Sequence, residues 1–130
     1  MKERAAPPTG ARILIADDFE PFRRFVCATL QEKPEWQIVG EACDGLAAVQ
    51  MTTELLPNIV ILDIGMPGLN GIEAAKRIRQ VSPASKIIFA TQNNDAEIWI
   101  DAVSTGADYV LKVNAGSELL PAIEAALRLL

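Results

Sequence analysis

A doubly wound α/β domain on a five-stranded parallel sheet is what the sequence predicts, on three observations. Short, wholly apolar runs such as Ile59–Leu62 recur along the chain, and such runs suit strands covered on both faces. Segments with apolar residues at helical spacing alternate with them. The connections are short and rich in Gly, Pro, Asn and Asp, which are turn formers. Repeated strand–helix units imply right-handed crossovers, hence a parallel sheet with helices on both faces.

Residues 1–10 carry Pro7, Pro8, Thr9 and Gly10 after a charged start and read as a mobile tail, leaving 11–130 as one domain. Arg12–Ala16 is the first strand and ends in Asp17-Asp18. A helix follows over Phe19–Glu32, with Phe22, Phe25, Val26, Thr29 and Leu30 inward and Arg23 and Arg24 outward. Pro21 sits in its opening turn, where a missing N–H costs little, and Lys33-Pro34 ends it. Trp36–Ala42 is a strand of mixed pattern, as suits a sheet edge. Asp44-Gly45 opens a helix over Leu46–Leu56, with Leu46, Val49 and Leu55 or Leu56 inward and Pro57 as its stop.

Ile59–Leu62 is the third strand and ends in Asp63. The loop after it contains Gly65, Pro67 and Gly68, and a helix then runs over Ile72–Val81. Ile72, Ala75 and Ile78 share its inner side, with Lys76, Arg77, Arg79 and Gln80 solvated. Lys86–Ala90 is a further buried strand that runs into Thr91, followed by a polar loop over Gln92–Asp95. Ala96–Ser104 is a short helix on which Ile98, Trp99 and Ile100 cannot all face inward. Asp108–Leu111 is the last strand and ends in Lys112. Asn114–Gly116 reads as a loop and Ser117–Leu130 as the closing helix.

Composition excludes several classes. With 130 residues, half of them hydrophobic, the chain suits one ordered domain. No apolar run approaches the ~20 residues of a membrane span, and no signal peptide is visible, so cytoplasm is the default. A net charge of −5 argues against nucleic-acid binding by this segment. Cys27 and Cys43 lack metal spacing and read as small buried hydrophobes. The absence of histidine removes the usual general base and metal ligand.

Four strand ends carry the chemistry: Asp17-Asp18, Asp63, Thr91 and Lys112. In a parallel sheet these ends share one edge, where ligands sit. Three clustered carboxylates must protonate, pair or bind a cation, and one lysine cannot neutralise them all. An all-oxygen set favours Mg²⁺ over softer metals. The hydroxyl and the ammonium suit a phosphoryl group, and a carboxylate there can be a nucleophile that forms an aspartyl-phosphate. Asp63 is the central candidate, and Asp17-Asp18 can hold the metal. The plain alternatives are that Asp63 caps the next helix and that Lys112 is simply salt-bridged.

Taken together, D-D after the first strand, D-I-G-M-P-G-L-N-G after the third, A-T after the fourth and G-A-D-Y-V-L-K after the fifth resemble two-component response-regulator receiver domains. The resemblance runs nearly the whole chain from Arg12. It implies a flavodoxin-like fold with strand order 2-1-3-4-5. It implies that Asp63 accepts a phosphoryl group from a sensor histidine kinase. Asp18, Asp63 and the Gly65 backbone carbonyl are then Mg²⁺ ligands, with Asp17 assisting through water. Thr91 and Lys112 bind phosphoryl oxygens, and Tyr109 is the switch aromatic that moves inward with Thr91. Read from its residue type alone, Tyr109 is a half-buried packing residue. V-G-E-A-C-D-G and Y-V-L-K-V-N are similar to the subgroup that carries a LuxR-type helix-turn-helix output domain. Such a C-terminal DNA-binding domain does not follow here, so a stand-alone receiver and a piece of a longer regulator are both open.

The expected role is therefore a phosphorylation switch rather than a metabolic enzyme. Its surface of fourth helix, fifth strand and fifth helix controls homodimerisation or an output such as transcription. Two other readings are weighed. An aspartate-nucleophile phosphatase of the haloacid-dehalogenase kind expects a second Asp where Gly65 stands. A flavodoxin-like flavin binder would set its phosphate against the carboxylates. Two features depart from the commonest receiver pattern. Val113 follows Lys112 where many receivers have proline with a cis bond, and a cis Lys-Val bond would cost ~2.5–4 kcal/mol. Gln92 follows Thr91 where a small residue is usual, and its side chain is expected to cover part of the phosphate site. Gly65, Gly68 and Gly71 are not the dinucleotide fingerprint and are expected to shape the loop through positive φ or close backbone approach.

Overall fold

The computed structural model describes residues 10–92 and 96–130. The expected tail over 1–10 lies outside these residues except for Gly10, as does the loop over Gln92–Asp95 beyond Gln92. Five strands, β1 (Arg12–Ala16), β2 (Gln37–Ala42), β3 (Ile59–Leu62), β4 (Lys86–Thr91) and β5 (Asp108–Leu111), alternate with five helices. The helices are α1 (Glu20–Leu30), α2 (Gly45–Leu55), α3 (Gly71–Val81), α4 (Ala96–Ser104) and α5 (Ala115–Leu127). All strand pairs are parallel, and the order is β2-β1-β3-β4-β5. This is the expected doubly wound sheet.

Alternation along the strands divides the core in two. Ile13, Ile15, Ile59, Ile61 and Ile88 pack with Phe22, Val26 and Leu30 of α1 and Leu119 and Ile123 of α5. Leu14, Val60, Leu62 and Phe89 pack with Ala48 of α2, Ala74, Ala75 and Ile78 of α3 and Ala102 of α4. Because both faces are covered, every residue of β3 is buried, and this explains its unbroken apolar run. The edge strand β2 is only half-buried and shifts register between Ile13 and Leu14 of its partner.

Local chemistry sets the helix starts. Asp44 caps α2 by accepting from the Ala47 amide at 2.7 Å, and Asn70 caps α3 by accepting from the Glu73 amide at 3.0 Å. Asp63 therefore does not cap the helix that follows it, and that reading is corrected. α2 ends at Leu56, a non-glycine residue in the left-handed region at φ 47°. The Arg12 guanidinium donates to the carbonyl of Leu55 at 2.6 Å, which satisfies an orphan group of that terminus.

Several expectations are corrected. Asn114–Gly116 is not a loop: Lys112–Asn114 forms a 3-10 turn that runs straight into α5 at Ala115. Gly116 and Asn114 lie at the start of that helix, where breakers are tolerated. Phe25 and Leu46, expected inward, are 41% and 53% exposed. Cys43 is exposed and Cys27 half-buried, so neither is a core hydrophobe. Arg23, expected outward, is folded down, with its side chain only 17% exposed. Trp99 and Ile100 both face solvent, while Ile98 is half-buried. No cis peptide bond occurs among the described residues, so Lys112-Val113 is trans. Among these residues no helix is long and apolar enough to cross a membrane.

Candidate functional site

The sheet register brings the strand ends to one edge. Ala16 is level with Leu62, so Asp17 and Asp63 emerge side by side, and the Asp63 amide donates to the Ala16 carbonyl at 2.9 Å. β4 and β5 run further, with Thr91 level with Leu111, so that Lys112 follows directly. One carboxylate oxygen from each of Asp17, Asp18 and Asp63 lies within 4.8 Å of the others. Asp17 and Asp63 are buried, whereas Asp18 is exposed. The Lys112 Nζ stands 2.7 Å from Asp17 Oδ2 and 3.8 Å from Asp63 Oδ1. Thr91 is buried at the same edge. Asp18, Asp63, Gly65, Thr91, Gln92 and Lys112 share a cleft of about 360 Å³, walled also by Phe19, Ile64 and Ile98.

Burial and crowding of like charge set the electrostatics. Asp63 is pushed up from 3.8 to about 6, mainly because its carboxylate is desolvated, with the Asp17 charge adding to the rise. Lys112 and the Gly65 amide, which donates to the carboxylate, hold it down, and Asp18 raises it slightly. Asp17 is held at two further points. Its Oδ1 accepts from the Phe19 amide at 2.8 Å, and Arg23 Nη1 donates to its backbone carbonyl at 2.8 Å. Arg23 Nε also pairs with Glu41 Oε1 of β2 at 3.0 Å. Asp17 Oδ2 is buried without a hydrogen-bond donor, since its close contact to Lys112 is an ion pair without hydrogen-bond alignment.

That orphaned oxygen, in a set of three carboxylates facing one cation, is what a hard divalent ion would satisfy. The residues present therefore fit Mg²⁺. Asp17, Asp18 and Asp63 offer oxygens, and nothing softer is within the group.

The predicted site residues come together with one exception. Asp17, Asp18, Asp63, Gly65, Thr91 and Lys112 converge. Tyr109 is half-buried against the core that includes Ala102 of α4 and is not among the residues lining the cleft. Gly65 shows neither expected steric reason for glycine, since a Cβ there would meet open space. Gly68 does take a positive φ of 70°, and a Cβ on Gly71 would run into the Asp63 carbonyl. Sequence reasoning missed Phe22 and Arg23. Phe22 lies under Lys112, with Nζ 4.6 Å from the ring centroid. Their signal was position: side chains in a helix's first turn lean back toward its N-terminus, here the acid pair.

Residues 13–124 match the response regulator receiver domain family, and the chain belongs to it. The chain is 36% identical to the transcriptional regulatory protein LiaR of Bacillus subtilis over 88% of its own length and 55% of that protein. It is also 36% identical to the chemotaxis protein CheY of Thermotoga maritima, covering 88% of this chain and 95% of that one. It thus spans about half of LiaR and nearly all of CheY. A two-component response regulator of the LuxR family from Aurantimonas sp. SI85-9A1 superposes with a TM-score of 0.85 at 35% identity, covering 91% of this chain and 85% of that one. The isolated receiver domain of RcsB from Salmonella enterica, solved with the phosphomimetic BeF3⁻, gives 0.85 at 28% identity, over 92% and 89% of the two chains.

Proposed function

We propose that this receiver domain is a phosphorylation-dependent signalling switch whose phosphoacceptor is Asp63. One observation carries the reading: the Asp63 carboxylate opens on a cleft with the Lys112 ammonium 3.8 Å away and two further carboxylates within 4.8 Å. An Asp63 oxygen attacks the phosphorus of a phosphohistidine on a sensor kinase. The O–P bond forms, the N–P bond breaks, and the imidazole leaves with its electron pair and takes a proton.

Mg²⁺ is the cofactor this donor set suits. Asp18, Asp63 and the Gly65 carbonyl would hold it, with Asp17 assisting through water, and it would supply positive charge against the phosphoryl oxygens. Lys112 donates to one of those oxygens and Thr91 to another, which stabilises the charge spread over the transferring group. Once Asp63 is esterified, its negative charge moves outward onto the phosphoryl group. Thr91 is drawn toward it, and Tyr109, half-buried next to the α4 core, takes up the vacated space. The exposed α4 residues Trp99 and Ile100 then change what they meet, whether a second copy or an output.

The chain catalyses only its own phosphoryl acceptance and slow hydrolysis. Its setting is the cytoplasm, where sensor kinases present their phosphohistidine. The LuxR-family likeness and the relatives named as transcriptional regulators favour a DNA-binding output carried in cis. A haloacid-dehalogenase-like phosphatase is disfavoured because Gly65 occupies the position of its second acid.

Incubation with acetyl phosphate and Mg²⁺, followed by intact mass, tests the reading. The expected result is one phosphoryl adduct in the wild type and none in Asp63→Asn. An adduct that survives Asp63→Asn, or none in the wild type, overturns it.

A further inference from the structure

Among the described residues, one ammonium faces the three carboxylates of the site, and that ammonium rides on a long flexible stem. Lys112 belongs to no packed helix. It follows the edge strand β5 and opens a 3-10 turn whose next residue, Val113, is 86% exposed. Yet the Lys112 side chain is only 11% exposed. Besides Asp17 and Asp63, Phe22 lies against it, with its ring centroid 4.6 Å from Nζ. Phe22 is 8% exposed and belongs to the core on the α1/α5 side. Phe25 braces it, with the rings 5.9 Å apart and 26° from parallel.

We propose that Phe22 is a positioning residue for Lys112, holding the ammonium at the acid cluster through its ring face. The proposal rests on the reading of Asp63 as phosphoacceptor. A ring face attracts a cation through its quadrupole but offers no strong hydrogen-bond acceptor. A carboxylate in the same place would occupy N–H donors and cancel the charge. Phe22 does neither, so the ammonium keeps its charge and its N–H donors for the oxygens of the site. The lysine then passes from the carboxylates to a phosphoryl oxygen by a small swing over the ring, without breaking an ion pair to an acid at the Phe22 position. The apolar core on which the ring rests makes it a fixed support rather than a second mobile partner.

Nuclear magnetic resonance and phosphorylation kinetics test this together. In the wild type, the ε-methylene protons of Lys112 are expected upfield of those of the other lysines, because they lie over the ring. Phe22→Leu and Phe22→Met keep an apolar side chain but remove the quadrupole. Each is expected to abolish that shift and to slow adduct formation with acetyl phosphate and Mg²⁺ on the order of 3- to 30-fold. Phe22→Tyr, which restores a ring, is expected to recover both. An unshifted Lys112 in the wild type overturns the proposal, as does a folded Phe22→Leu or Phe22→Met that accepts phosphate at the wild-type rate. If the wild type itself forms no adduct, the phosphoacceptor reading falls, and the proton shift decides the contact by itself.

Discussion

Arg23 reaches back from the first turn of α1 and donates through Nη1 to the backbone carbonyl of Asp17 at 2.8 Å. Its Nε is meanwhile paired with Glu41 of β2 at 3.0 Å. One guanidinium thus ties the acid pair, the first helix and the edge strand together. A charged hydrogen bond of this kind contributes about 1.5–3 kcal/mol, and the Glu41 pair, half open to water, adds little. Arg23→Ala is expected to lower stability by about 2 kcal/mol in urea unfolding. It is also expected to weaken Mg²⁺ binding severalfold by calorimetry, because Asp17 loses a fixed point. Unchanged Mg²⁺ affinity in a destabilised variant would confine Arg23 to a folding role.

The raised Asp63 carboxyl makes a pH prediction with a definite sign. Its pKa moves from 3.8 to about 6, and this corresponds to about 3 kcal/mol. Folding disfavours the ionised form. Stability from this group is therefore complete below the ordinary value and is lost as pH rises from about 4 through 6. Asp63→Asn escapes that loss. Without divalent ions at pH 7.5 it is expected to exceed the wild type by about 2–3 kcal/mol in urea unfolding. The advantage is expected to vanish below pH 4. A variant no more stable than the wild type at pH 7.5 would reject this electrostatic account.

The glycines of the site loop separate by the space around them. A Cβ on Gly71 would run into the Asp63 carbonyl, whereas one on Gly65 would meet open space. Gly71→Ala must push the first turn of α3 away from the end of β3, and overpacking of this kind costs about 1–3 kcal/mol. Gly65→Ala is expected to stay within about 0.5 kcal/mol of the wild type. Thermal unfolding of the two variants side by side checks the contrast. Equal losses would show that the loop yields freely.

Gln92 is exposed at the rim of the cleft that contains Asp63. Its side chain is expected to cover part of the approach to Asp63. Gln92→Ala is expected to admit water and shorten the lifetime of phospho-Asp63, followed by intact mass after donor removal. An unchanged lifetime would sink the idea.

Much of this was legible in the chain. The buried strands β1 and β3 were readable to the residue, because an apolar run closed by a polar residue has one natural reading in a covered sheet. The four polar strand ends were readable for the same reason, since strand direction alone sends them to one edge. What stayed hidden depended on where side chains bend. Arg23 looked solvent-bound from helical spacing, yet a long arginine can fold back over the helix start to a carbonyl. Phe22 was assigned to the core correctly, but its second partner, Lys112, comes from a strand distant in sequence that no periodicity links to it. The start of α5 was placed too late because Asn114 and Gly116 look like breakers, although a 3-10 turn leads through them into the helix.

The order in which the strands leave the ribosome bears on the site. Asp17, Asp63 and Lys112 come from β1, β3 and β5, so the lysine that completes the group is synthesised last. Among the described residues that line the cleft, Lys112 is the one cation, so a chain that still lacks β5 would bring the acids together without it. On the reading of Asp63 as phosphoacceptor, such a chain is expected to accept phosphate poorly until the five-stranded sheet has closed.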